Sequence, residues 1–407
     1  MKRLLIVTVL LSFLTLVTAK TTITVWTFFG GGEGFLVTEL IKKFNAENPD
    51  IEVVEQIVEW GQLYNKLITA ISAGDPPDVS VMHLAVLPDF ASRDALVALD
   101  KYVSKSVLED YIPEIVEKAR FDGKLYAIPF DTHPLVLYYN KKLLRQAGLV
   151  NAKGEVLVPK TWDELLNYAK QAKEKLGLEV GITSEIGAMM GERLFIAYYT
   201  QLGGQIYDAK TKSLKLDFDK VKKTYEFISN LYKSGIMKTM TYDTAESLFQ
   251  NNQSPFHLNG VWVMAVYPTL KDFEFGVTSI PAIPGSKPFT WADSHTWVIP
   301  KKPKEDPTKI AASVKFIEWF AKSAAEWAKA GHLPVLKGVL KSEAFLSLPM
   351  RKDYAQVAEF LVPAPSVRGW VEIRHKMWEI GEAVILGQKS PDAAAKELID
   401  FVRQVID

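Results

Sequence analysis

From Thr22 to Met82 the sequence changes its period again and again. "TITVWTF" is rich in β-branched and aromatic residues, and residues 34–47 then place Leu36, Leu40, Ile41 and Phe44 at helical spacing. "IEVVEQIV" returns to a strand, "LYNKLITAISAG" is helical and stops at Gly74, a natural C-cap, and "PPDVSVM" begins a third strand. This β-α-β-α-β order constrains the fold more than any other feature, because helical connections bring successive strands back parallel and cover both faces of the sheet.

The rest of the chain continues in the same way. "YAIPF" and "LVLYYN" are short strands. "KTWDELLNYAKQAKEKLG" is a helix with a capping box, Thr161 as N-cap and Glu164 three residues on, closed by Gly177. "LEVGITS" is a strand, and helices follow at 192–202 and 218–234. Strands around "FGVTSIPAIP" and "HTWVIP" precede helices at about 309–330, 351–361, 368–386 and 391–406. With 407 residues, 48% of them apolar, the chain is long enough for two lobes rather than one core. No repeat or low-complexity tract interrupts it.

The first nineteen residues have another character: Lys2 and Arg3, an apolar run from Leu4 to Val17, then "VTA" ending at Ala19. That is the pattern of a secretory signal peptide cleaved near Ala19, and the run is shorter than the roughly 18 to 20 residues of a membrane span. With Lys2 and Arg3 removed, the 48 basic residues fall two short of the 48 acidic ones, so the mature chain is slightly acidic. Net charge favours neither nucleic acid nor an anionic membrane as partner. The chain has no cysteine, hence no disulfide framework, thiolate metal site or lipidated cysteine. A soluble periplasmic or extracellular protein is expected.

Catalytic and cofactor motifs do not account for the chain. In "FFGGGEGF", Gly30 and Gly32 are followed by Phe35 where a dinucleotide loop needs its third glycine, and Glu33-Gly34-Phe35 supplies no Walker lysine and hydroxyl. The cluster reads either as a flexible turn or as a helix N-terminus that bonds a neutral ligand. No G-x-S-x-G or H-E-x-x-H occurs, and the six histidines (83, 133, 257, 295, 332, 375) form no i,i+4 pair, so neither metal nor cofactor is expected. The pairs Tyr138-Tyr139 and Tyr198-Tyr199 cannot chelate iron alone, because neighbours diverge on a strand or a helix. A glycosidase stays open, since its two carboxylates need only lie about 5 to 9 Å apart in space.

Aromatic weight stands out instead: ten Trp, fifteen Tyr and twenty-one Phe. Trp26 sits on the strand face opposite Ile23 and Val25, Trp60 in "VEWGQ", Trp262 in "LNGVW", Trp291 in "FTWADSH" and Trp370 in "SVRGW". Flat rings beside carboxylate, guanidinium and amide groups match a ligand with an apolar C–H face and a rim of hydroxyls, which is the shape of a sugar. The bland alternative is core packing, which suits Trp162 at a helix start and the pair Trp319 and Trp327, eight apart on one helical face.

The order of "ITVWTFF", "AISAGDPPDVSVM", "FDGKLYAIPFDTHPLVLYYNKKLLRQAGL", "VPKTWDELL", "LNGVW", "IPAIPGSKPFTWADSHTWVIPKK" and "KFIEWFAKSAAEWAKAGHLPV" resembles the extracellular solute-binding proteins of ABC importers, in the carbohydrate-binding group that includes maltose-binding protein. The resemblance spans nearly all the mature chain. It implies a type II two-lobed α/β fold, each lobe a mainly parallel sheet flanked by helices, with three hinge crossings near 131–135, 277–282 and 333–338. Lobe one would be 20–132 plus 281–335, and lobe two 133–280 plus 336–407, including the helical tail.

The resemblance further implies a non-enzymatic sugar receptor that closes on its ligand and delivers it to the permease subunits, acting as a monomer without stable membrane insertion. Carried over residue by residue, the ligand contacts would be Trp26, Phe28, Trp60, His83, Asp131, Trp262, Trp291, Asp293, His295, Arg368 and Trp370. The bulk of Trp291, Asp293 and His295, where relatives often have small residues, leans toward a mono- or short oligosaccharide. A secreted glycoside hydrolase is the rival from another class, and a binder of a phosphorylated polyol or a polyamine the rival from the same one.

Overall fold

The computed structural model of the protein describes residues 20–208 and 213–406. The expected signal peptide lies outside the described residues. Two large mixed sheets organise the rest, each with its own core.

The first sheet takes the strand order Ile51–Ile57, Thr21–Thr27, Val79–His83, His295–Val298, Ala127–Pro129. Its first three strands are parallel, as the β-α-β-α-β reading requires. Ile23, Val25 and Thr27 alternate inward along Thr21–Thr27. Helix Gly31–Glu47 covers one face by burying Val37, Leu40, Ile41 and Phe44, and Phe44 meets Phe316 edge to face at 5.3 Å. Helix Leu63–Ala73 stops where expected, because Gly74 adopts φ 80°, a left-handed conformation costly to any residue with a Cβ.

The second sheet departs from the expected parallel arrangement. Its central strand, His133–Asn140, is buried at every residue and runs antiparallel to Phe256–Gly260, Phe275–Ser279 and Thr290–Asp293. Only Ile182–Thr183 against Phe256–Gly260, and Leu361–Pro363 against Thr290–Asp293, are parallel. The cause is topological: His133–Asn140 enters directly from the first sheet with no helical crossover, so the strands that return toward that entry oppose it. Its alternation separates the tyrosine pair. Tyr138 packs with Tyr267 and Phe275 on one face, and Tyr139 joins the core of the other.

Several elements form as their sequence signals require. Helix Trp162–Leu176 carries the Thr161–Glu164 capping box and ends at Gly177 with φ 65°. Trp162 is buried, as expected of a helix-start residue, and donates to Gln201 Oε1 at 3.0 Å. The helix expected over 309–330 breaks at Ser323 into Pro307–Lys322 and Ala324–Trp327. The break parts Trp319 from Trp327: Trp319 stays half-buried and donates to Glu47, while Trp327 turns inward to Asp131.

The chain passes between the sheets at three places. Asp131 and Thr132 lie between Ala127–Pro129 and His133–Asn140, Ser294 lies between Thr290–Asp293 and His295–Val298, and Leu333 pairs with Thr132.

Candidate functional site

A cavity of about 520 Å³ lies between the sheets, within the range usual for small-molecule sites. Phe28 and Trp262 reach it just beyond the carboxyl ends of strands Thr21–Thr27 and Phe256–Gly260, and His83 from the last position of Val79–His83, the ends at which α/β sheets hold ligands. Glu33 comes from the first turn of helix Gly31–Glu47, and Glu59 and Trp60 from the turn before the next helix. Glu185 and Arg193 come from the segment around the π-helical stretch Ile186–Leu194, and Tyr242 and Asp243 from helix Tyr242–Gln250.

The glycine cluster makes the close approach here possible. Gly31 takes φ 52°, and a Cβ on Gly32 would stand 2.4 Å from Ala265 Cβ, so glycine lets the helix start meet the turn that carries Trp262. Helix Gly31–Glu47 has no side-chain cap at Gly30, which itself lines the cavity. A ligand oxygen is the natural partner for such amides.

The aromatic groups are held in fixed orientations. Trp262 folds back over Gly260, where a Cβ would stand 1.8 Å from the indole; this is the physical content of "NGVW". Its Nε1 donates to the Tyr242 hydroxyl at 2.9 Å. Phe28 stacks on His83 with ring centroids 5.0 Å apart and 9° between planes, and Trp60 meets His83 edge-on at 6.3 Å. The Tyr64 hydroxyl accepts from the His83 amide at 2.9 Å and lies 2.6 Å from Nδ1. Burial, with the nearby His295 and His133, holds the His83 imidazole well below its ordinary value. The His83 imidazole is therefore neutral beside that hydroxyl.

Arg193 is the distinctive charge. Its guanidinium lies over the Trp262 ring at 4.9 Å and the Trp291 ring at 4.8 Å. It is 9% exposed, and its Nε is buried with no hydrogen-bond partner among the described residues. A planar cation fixed by two indoles, with its Nε lacking an acceptor, presents its donors to whatever enters the cavity.

Below the floor, Asp131 is fully buried and takes bonds from the His295 amide (3.0 Å), His295 Nδ1 (2.8 Å) and Trp327 Nε1 (2.7 Å), with His133 Nδ1 at 3.3 Å. Burial alone would raise this carboxyl, but His295, His332 and the donated bonds outweigh it and hold Asp131 well below the usual range. His332 stands 2.5 Å from Glu33; Asp131 and Glu33 outweigh burial and raise its imidazole. His133 is pushed well below its ordinary value, mainly by burial.

Of the eleven residues expected to bind ligand, Phe28, Trp60, His83, Trp262 and His295 line the cavity. Asp131 and Trp291 lie beneath, orienting His295 and flanking Arg193. Trp26 is half-buried against the first core and does not line the cavity. Asp293 lines a different cavity; it accepts from Ala85 and Ser294 amides, and burial pushes its carboxyl up to about 6.

Arg368 is exposed, and Trp370 is a core residue 1% exposed at the start of helix Trp370–Ile385. Of the three bulky residues Trp291, Asp293 and His295, only His295 lines the cavity. This cavity adjoins a second one of about 550 Å³ that shares Trp60 and His83.

Arg193, Glu185, Tyr242, Asp243, Glu59 and His133 went unselected in the sequence. One signal existed for Arg193: Glu192-Arg193 interrupts an otherwise apolar run from Ala188 to Ala197, and charges on a buried helix need a stated partner. Glu192 finds its partners in Arg374 at 3.2 Å and Trp378 at 2.9 Å.

A family model described as bacterial extracellular solute-binding protein matches residues 35–327. The maltotriose-binding protein of Pyrococcus abyssi is 25% identical over 358 residues, covering 86% of this chain and 74% of its own. The sn-glycerol-3-phosphate-binding periplasmic protein of Shigella dysenteriae is 26% identical over 420 residues, covering 95% and 93%. Among solved structures, the GacH receptor of Streptomyces glaucescens, studied unliganded and with acarbose, superposes with a TM-score of 0.83 at 24% identity over 95% of this chain and 98% of its own.

Proposed function

We propose, for a chain that belongs to the bacterial extracellular solute-binding protein family, that its ligand is a neutral saccharide, captured between the two sheets and passed on unchanged to the permease subunits of an importer. The observation that carries this reading is Arg193, a buried guanidinium whose Nε has no acceptor among the described residues, set against Trp262 in a cavity that also presents Glu33, Glu59, Glu185 and Asp243. A sugar can bond both the guanidinium and the carboxylate oxygens that the protein's own donors leave free. Vicinal hydroxyl oxygens accept from the guanidinium, hydroxyl protons go to the carboxylates, and the C–H face covers an indole. That one relative of the chain is a maltotriose-binding protein supports the same class.

A phosphorylated polyol, the class bound by one relative, is the second reading. It would place a dianion beside four carboxylates with one guanidinium to balance it. A polyamine would meet Arg193 in turn. Discrimination among saccharides would come from hydroxyls, because a buried polar group left without its partner costs about 1–3 kcal/mol.

The lobe division also belongs to this reading. We place the hinge at Asp131–Thr132, Ser294 and Leu333, moving the second crossing from 277–282, since Thr290–Asp293 pairs in the second sheet and His295–Val298 in the first. Lobe one is then 20–132 plus 294–335. Closure follows from contacts made only when residues of both lobes reach the same sugar. No helix among the described residues is long and apolar enough to cross a membrane, and the family is an extracellular one.

A thermal-shift panel of neutral mono- and oligosaccharides, uronic acids, glycerol phosphate and spermidine tests the ligand class. At a hundredfold excess over Kd, a neutral saccharide should stabilise the protein by about 2.7 kcal/mol. A shift with glycerol phosphate or spermidine alone would replace this reading with the corresponding rival.

A further inference from the structure

Four side chains meet where the chain passes between the sheets. Asp131 and His133 come from the first passage, His295 follows Ser294 at the second, and His332 precedes Leu333 at the third. All four are buried, and each offers one ligand atom within 4.8 Å of the others. Nothing in their sequence spacing suggests a common site; the fold assembles it.

We propose that Asp131, His133, His295 and His332 bind one divalent transition-metal ion of the zinc class, which ties the three passages together. Three imidazoles and a carboxylate form the mixed nitrogen and oxygen set that suits zinc, nickel or cobalt rather than calcium or magnesium. The separations fit. From Asp131 Oδ2, His295 Nδ1 stands at 2.8 Å and His332 Nε2 at 3.9 Å, and His133 Nδ1 stands 3.3 Å from Oδ1. Ligand bonds of about 2.0–2.2 Å in tetrahedral array put neighbouring donor atoms about 3.3–3.5 Å apart, so donor atoms that lie within 4.8 Å of one another here draw together as the ion binds.

The surroundings resemble the support that a metal site requires. A carboxylate has about four lone-pair positions. Two on Asp131 are taken by groups that can never ligate, the His295 amide and Trp327 Nε1. These donors fix the carboxylate plane and leave one position on each oxygen facing an imidazole. Trp327 also stacks on His332, with centroids 5.4 Å apart and 19° between planes. Glu33 Oε1 bonds the same His332 Nε2 that lies 3.9 Å from Asp131, so the metal displaces that contact and leaves Glu33 as a carboxylate at the edge of the site. His332 Nδ1 is buried with no partner among the described residues, so the protein's own contacts do not exhaust this ring.

The full mature chain, stripped with a chelator and dialysed, is titrated with zinc and separately with cobalt. The expected result is one ion per chain, a visible ligand-field spectrum of nitrogen- and oxygen-bound cobalt that zinc abolishes, and a melting temperature that rises with zinc. His332→Gln should weaken zinc binding by at least about tenfold. Stripped wild type that takes up neither ion stoichiometrically would overturn the site, as would folded His332→Gln binding zinc like wild type. If that variant does not fold, the cobalt spectrum of wild type decides.

Discussion

Arg193→Met should lower affinity for the bound saccharide by about 30- to 700-fold, equivalent to about 2–4 kcal/mol. The Arg193 Nε has no acceptor among the described residues, so a bound sugar can supply one that the protein does not. Removing the guanidinium deletes charge-assisted bonds of about 1.5–3 kcal/mol each and leaves sugar hydroxyls without that partner. The free protein should be no less stable, because a buried unpaired cation costs several kcal/mol, which two ring contacts of about 0.5–2 kcal/mol each do not exceed. Arg193→Lys is the informative control: it keeps charge but loses the planar fork and the stacking, and should stay at least about tenfold weaker than wild type. Titration calorimetry decides, and wild-type affinity in Arg193→Met would remove this residue from the site.

Asp131→Ala should instead cost stability, by about 3–5 kcal/mol, since it leaves the donors of His295 and Trp327 buried without an acceptor. The pH dependence follows from sign. Asp131 is held well below its unfolded value of about 3.9, so its contribution is complete above that pH and is lost as pH falls toward the folded value. Near neutrality the imidazoles divide. His83 and His133, depressed by burial, lose stability on acidification below about 6.5, whereas His332, raised, loses its contribution as pH climbs above that value. The Asp131 effect is therefore read below pH 4. Denaturant unfolding should show wild type losing stability there more steeply than Asp131→Asn; parallel curves would mean that the carboxylate is not ionised in the fold.

Much of the architecture is legible in the sequence because it rests on local signals. Gly74 and Gly177 end helices where left-handed backbone is needed, and the capping box at Thr161 sets a helix start. Gly260 and Trp262 declare themselves as a unit, since only glycine fits beneath the folded-back indole. The direction of His133–Asn140 is not local: an apolar strand reads the same whichever way its neighbours run, and its antiparallel setting comes from its direct entry out of the first sheet. Ser323 likewise breaks a helix whose apolar spacing continues through it.

The cleft was legible where strands end and invisible where elements from distant segments meet. Phe28, His83 and Trp262 lie at or just past strand ends and reach the cavity. Arg368 and Arg193 look alike as residues, yet one precedes a helix on the surface and the other is enclosed by two indoles. His332 lies almost two hundred positions from His133 in a chain with no paired histidines, and only the meeting of the crossings brings them together.

The central claim is that this cleft holds a neutral saccharide without transforming it. It is tested most directly by titrating wild-type protein calorimetrically with the most stabilising saccharide of the panel, then recovering and weighing that sugar by mass spectrometry. The account predicts saturable heat at one sugar per chain and a recovered molecule identical to the one added. Continuing heat with cleaved product, or no saturable heat with any neutral saccharide, would contradict it.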